Sequence, residues 1–142
     1  MSGMARVLVV ADRTADSDEL LAALVERHSQ GPIEVTLVAP AAWEIADPHG
    51  GRQSVMRRLR SAAGRFAEAG IETESVVGDP DPVAAVAAIW DPNRFDEVIV
   101  STLPDGLSRW LRLDLPRRVE RHTGQAVRHV IAHERAPVPA LA

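Results

Sequence analysis

The residues best suited to hold a ligand follow an apolar strand, Val98-Ile99-Val100. They run Ser101-Thr102-Leu103-Pro104-Asp105-Gly106-Leu107-Ser108-Arg109-Trp110-Leu111-Arg112. Two hydroxyls end the strand, Pro104 and Gly106 turn the chain, and an arginine-bearing helical stretch begins. Strand ends and helix N-termini together present free backbone N–H groups, which favour anions. The candidate contacts are Ser101, Thr102, Gly106, Ser108, Arg109 and Arg112. The hydroxyls and N–H groups suit a phosphate, and Arg109 can fork onto one. The competing reading makes the hydroxyls turn and helix caps and leaves the arginines solvated.

A second candidate lies at the end of the first apolar run, at Asp12, Arg13 and Thr14. Asp12 suits a base or ribose edge, and it equally suits the N-cap of the helix that follows. Asp79 and Asp81 resemble paired carboxylates, but each precedes a proline, which favours turn and cap roles. His129 and His133 have helical metal spacing but lie on and beyond a strand, where that spacing does not converge. There is no G-x-S-x-G elbow for a hydrolase. No catalytic or metal-ligating residue is assigned, and regulation is expected rather than turnover.

Composition narrows the chemistry further. All 16 basic residues are arginine, so lysine Schiff bases and a Walker lysine are excluded. The absence of cysteine removes disulfides, thiol nucleophiles and cysteine metal sites. A net charge of -4 argues against a nucleic-acid partner. No apolar run has membrane-spanning length, and the N-terminus lacks the flanks of a signal peptide. These features predict a soluble, cytoplasmic domain without a membrane partner.

The elements that must position these residues alternate. Apolar strands are expected near 6–11, 33–39, 71–77, 98–100 and 126–131, the third suited to a sheet edge. Helices are expected around the stripe Leu20, Leu21, Leu24 and Val25, closed by Gly31-Pro32, and near 52–69 and 82–90, with Asp81 as N-cap and Pro82 at the first position of the third. The fourth helix reads as broken, with a second piece from Pro116 to a stop at Gly124. The stretch 40–51 reads as a long loop, either a lid or a plain connection. Trp110, Leu111, Leu113 and Leu115 are either a core cluster or a dimer surface.

Alternation of this kind predicts an α/β fold: a single doubly wound parallel five-stranded sheet, order 3-2-1-4-5, with helices on both faces. Residues 1–133 form the domain and 134–142 a loose tail. In that order the first and fourth strands flank the switch point, and Asp12 and Ser101 share one crevice.

The layout resembles the universal stress protein family. The likeness is carried by Val-Val-Ala-Asp12 at the end of strand 1, the Gly78-Asp79-Pro80 turn, and Gly106-Leu107-Ser108-Arg109 after strand 4. The resemblance implies a Rossmann-like domain, often dimeric, in which an aspartate at the position of Asp12 contacts adenine. It also implies a motif Gly-x2-Gly-x9-Gly-(Ser/Thr) cradling ribose and phosphates. Here Val100 and Leu103 stand at the first two glycines, and Leu113 and Asp114 at the last pair. Leu and Val do not admit close backbone approach to phosphate, and Asp114 would repel a triphosphate. The expected function is therefore ligand sensing or regulation without tight ATP binding. The ligand would be a nucleotide or other phosphate-like anion at the crevice. The alternative is a homodimeric, non-nucleotide interaction module, with the fifth strand as a candidate pairing edge.

Overall fold

The structure, a computed structural model, describes residues 4–41, 48–104, 110 and 114–134. Five parallel strands lie in the order β3-β2-β1-β4-β5, as the alternation predicts: β1 (Ala5–Val10), β2 (Ile33–Pro40), β3 (Glu72–Gly78), β4 (Glu97–Thr102) and β5 (Val127–Ile131). Four helices connect them: α1 (Asp18–Gln30), α2 (Pro48–Glu68), α3 (Pro82–Ile89) and α4 (Leu115–Thr123).

β1 is central because it has no polar residue to expose beyond Arg6; Val7, Leu8, Val9 and Val10 are all fully buried. Its register pairs Val10 with Val38 on one side and with Val100 on the other. Alternate side chains enter two separate cores. Val7, Val9 and Ile99 pack under α1 and α2 with Leu20, Leu24, Leu59 and Phe66. Leu8, Val10, Val98 and Val100 pack under α3 and α4 with Val86, Leu115 and Val119. Two covered faces explain the continuous apolar runs of β1 and β4.

Local signals fix the helix ends. Asp81 caps α3 by accepting a hydrogen bond from the Val83 N–H at 3.0 Å, with Pro82 in the first turn. Asp79 accepts from the Asp81 N–H at 2.8 Å, so both carboxylates serve this turn. Gly78 sits where α3 approaches β3: a Cβ there would stand 2.7 Å from the Ala85 Cβ. Gly124 ends α4 at φ 71°.

Two expectations change. α2 begins at Pro48, so the backbone of His49, Gly50 and Gly51 belongs to its first turns, not to a loop reaching residue 51. Proline needs no N–H partner at a helix start and has its φ set for it. Leu115 is fully buried, so it belongs to the core, and the partly buried Trp110 packs against the same cluster. Leu111 and Leu113 lie outside the described residues.

Candidate functional site

The site is built at the carboxyl ends of β1 and β4. Past Val10, the chain leaves the sheet through two overlapping turns. The Ala15 N–H donates to the Asp12 carbonyl at 3.1 Å, and the Ser17 N–H to the Thr14 carbonyl at 3.0 Å. Ser17, not Asp12, caps α1: its hydroxyl accepts from the Leu20 N–H at 3.1 Å. The cap reading of Asp12 is thus corrected. The turns delay the helix by five residues and leave the Asp12 carboxylate free for another partner.

That partner is Arg58. Its Nη1 donates to Asp12 Oδ1 at 2.7 Å, and the two side chains keep 23% and 35% of their exposure. Burial raises the Asp12 carboxyl above its ordinary value, against the opposing pull of Arg58 and the nearby Arg13; Glu134 adds to the rise. Desolvation therefore outweighs the ion pair, and the surroundings favour the protonated carboxyl more than water does. Arg13 itself is exposed.

Thr14 turns inward. Its hydroxyl lies 2.7 Å from that of Ser101, both groups are buried, and 87 residues of chain separate them. This contact bridges β1's exit turn and the end of β4. Thr102 points to the opposite sheet face, is 2% exposed, and lies with its hydroxyl 2.7 Å from His129 Nε2 on β5. The Thr102 hydroxyl donates to the Leu103 carbonyl at 3.0 Å, so the imidazole N–H is the donor between the two residues. Burial lowers the His129 pKa, which favours this neutral ring.

The geometry thus brings together Asp12, Arg13, Thr14 and Ser101 at the carboxyl ends of β1 and β4, with Thr102 on the other face of β4. Gly106, Ser108, Arg109 and Arg112 lie outside the described residues. Asp114 opens α4 in the left-handed region, φ 55° and ψ 42°, a conformation that glycine supplies more readily. Among the described residues, no cluster of three or more His, Asp or Glu forms a metal centre, and no helix is long and apolar enough to cross a membrane.

Solved structures share this fold. A universal stress protein from Archaeoglobus fulgidus matches 89% of this chain and 93% of its own, with TM-score 0.65 at 14% identity. The universal stress protein from Archaeoglobus fulgidus in complex with dAMP matches 92% of this chain and 99% of its own, with TM-score 0.63 at 16% identity. A universal stress protein in complex with cAMP matches 93% and 100%, with TM-score 0.58 at 22% identity. The chain has the universal stress protein fold. No protein-family model matches the sequence, and no curated protein sequence matches it.

Within the universal stress protein fold, Arg58 is the site residue that sequence reasoning missed. It stands 46 residues from Asp12 on the polar side of α2. The only sequence signal was a cluster of arginines, Arg57, Arg58 and Arg60, around the inward-facing Leu59, which does not single out Arg58.

Proposed function

We propose that the protein is a regulatory, ligand-sensing domain that takes a nucleotide, or a similar small anion, at the crevice between β1 and β4. One observation carries this reading. The partly exposed Asp12 carboxylate stands beside two cations, 2.7 Å from Arg58 and near Arg13, at the switch point of the sheet. An acceptor for a base or ribose edge and donors for a phosphate are thereby adjacent. The cAMP and dAMP complexes of the matching universal stress proteins support the same ligand class.

The reading favours a monophosphate over ATP. Val100 is fully buried in β4 at the first glycine position of the family motif, and Leu103 follows at the second. Neither leaves room for backbone to close on a longer phosphate chain. Gly106, Ser108 and Arg109 complete the proposed site from the segment after β4. Residues 1–133 make up the proposed domain and 134–142 its tail. Calorimetry with AMP, cAMP, ADP, ATP and inorganic phosphate tests the proposal. Binding of AMP or cAMP that weakens in Arg13→Ala supports it; no heat from any of these at millimolar concentration counts against it.

A second reading, a homodimeric interaction module without a nucleotide, is favoured by a different observation. The Thr14, Ser101 and Thr102 hydroxyls already have partners within the chain. β5 is an edge strand with Ile131 53% exposed, and edge strands pair readily. Sedimentation equilibrium separates the readings: dimer that Ile131→Lys dissociates, together with no nucleotide heat, selects the second.

A further inference from the structure

The face of the sheet beneath α3 is only half covered. α3 has eight residues and is about 12 Å long, whereas β2 has eight residues and spans about 26 Å. α3 and its flanks pack on Val38 and Val76 near the carboxyl ends of β2 and β3. Towards the amino-terminal ends of those strands the same face is left half-buried at Glu34 and Thr36 and exposed at Glu72 and Glu74. There a groove of about 550 Å3 is lined by Glu34, Glu72 and Glu74, with Arg6, Arg94 and Phe95 at its side. Parallel sheets normally have both faces covered by helices, so this strip lacks a layer that the architecture calls for.

The charge of the strip is unbalanced. Glu34 and Glu72 are direct neighbours across parallel strands, and Glu74 follows two residues on. Like charges placed opposite one another weaken a sheet. Among the described residues none of the three glutamates has an ion-pair partner. Two arginines share the groove: Arg6 is the neighbour of Glu34 on the β1 side and faces Asp96 at 3.6 Å, and Arg94 lies over the Phe95 ring at 5.4 Å, so the glutamates and Asp96 outnumber the cations and the excess negative charge sits at Glu72 and Glu74.

We propose that this strip docks an amphipathic helix of a partner protein whose inward side carries arginine or lysine. A helix is the element that completes a doubly wound layer. Basic side chains three and four residues apart on a helix stand about 5–6 Å from one another, close to the spacing of carboxylates on neighbouring strands. The surface is distinct from the β1–β4 crevice, which lies at the opposite ends of the strands.

A fluorescein-labelled alanine–lysine helical peptide of about 16 residues, with lysines four apart, is the probe, titrated against the full chain by polarisation. Glu72→Gln/Glu74→Gln is compared with Glu26→Gln/Glu68→Gln, which removes equal charge elsewhere. The expected result is a loss of roughly fivefold or more in affinity for the first pair and less than about twofold for the second. Backbone amide shifts should cluster at residues 34–36 and 72–74. Neutralising Glu72 and Glu74 should leave the melting temperature unchanged or raise it, so loss of fold does not confuse the outcome. Equal losses in both variants, shifts centred elsewhere, or no binding at millimolar probe would overturn the proposal. Self-association of the wild type that Glu72→Gln/Glu74→Gln abolishes would also overturn it, assigning the strip to a second copy.

Discussion

The Thr14 and Ser101 hydroxyls meet at 2.7 Å in a buried contact that ties the exit of β1 to the end of β4. The two strands are already adjacent through their backbones. The side-chain contact adds a lock on the turn that presents Asp12. It also occupies two hydroxyls that the sequence alone offers to a ligand.

That lock has a measurable strength. Ser101→Ala leaves the Thr14 hydroxyl buried without its partner and should cost about 1–3 kcal/mol. The double variant Thr14→Val/Ser101→Ala removes both polar groups and should recover part of that loss. Thermal or urea melts of the four proteins give the coupling directly. Additive losses would mean that the hydroxyls do not act as a pair.

Asp12 predicts an unusual pH dependence. Its carboxyl is raised in the fold, chiefly by burial. The folded state therefore holds the proton more tightly than the unfolded chain does. The associated stability is fully present below the ordinary value of 3.8 and is lost as pH rises through the folded pKa. Asp12→Asn should abolish that loss. Urea melts from acid to neutral pH should show the wild type falling relative to the variant as pH rises; the opposite trend would mean that the Arg58 pair outweighs desolvation.

His129 acts with the reverse sign. Burial lowers its pKa below the ordinary 6.5, so its stability contribution is present above 6.5 and is lost as pH falls through the folded value. His129→Gln keeps a donor for Thr102 but cannot titrate. Its stability should decline less than that of wild type between neutral pH and the folded pKa. Direct NMR titration of the ring checks the cause.

Gly78 predicts a packing defect. Alanine there places a Cβ 2.7 Å from the Ala85 Cβ and 3.3 Å from Val38 Cγ2. α3 must move away from β3, and overpacking of this kind costs about 1–3 kcal/mol. A melt of Gly78→Ala reads it; a neutral outcome would show that α3 shifts without loss.

How far the sequence alone leads differs between fold and site. Strand order followed from alternation and handedness, and Asp81-Pro82 and Gly124 marked helix ends because their constraints are local. Asp12 was visible as a residue but not as a partner of Arg58, because no local rule links a turn to the polar side of a helix 46 residues away. Ser17 displaced Asp12 as the cap through two turns that several polar residues in a row left undetermined. The alternation of β3 correctly suited a sheet edge, yet it gave no hint that α3 is too short to cover Glu72 and Glu74. Helix length against strand length is a three-dimensional comparison.

The central claim, a small-anion site at the β1–β4 crevice, is tested most directly by a 15N-labelled chain titrated with AMP and followed by backbone amide shifts. Saturable shifts concentrated at residues 11–15 and 101–103, and weakened in Arg13→Ala, are predicted. Saturable shifts confined to other surfaces, or none at millimolar AMP, would contradict it.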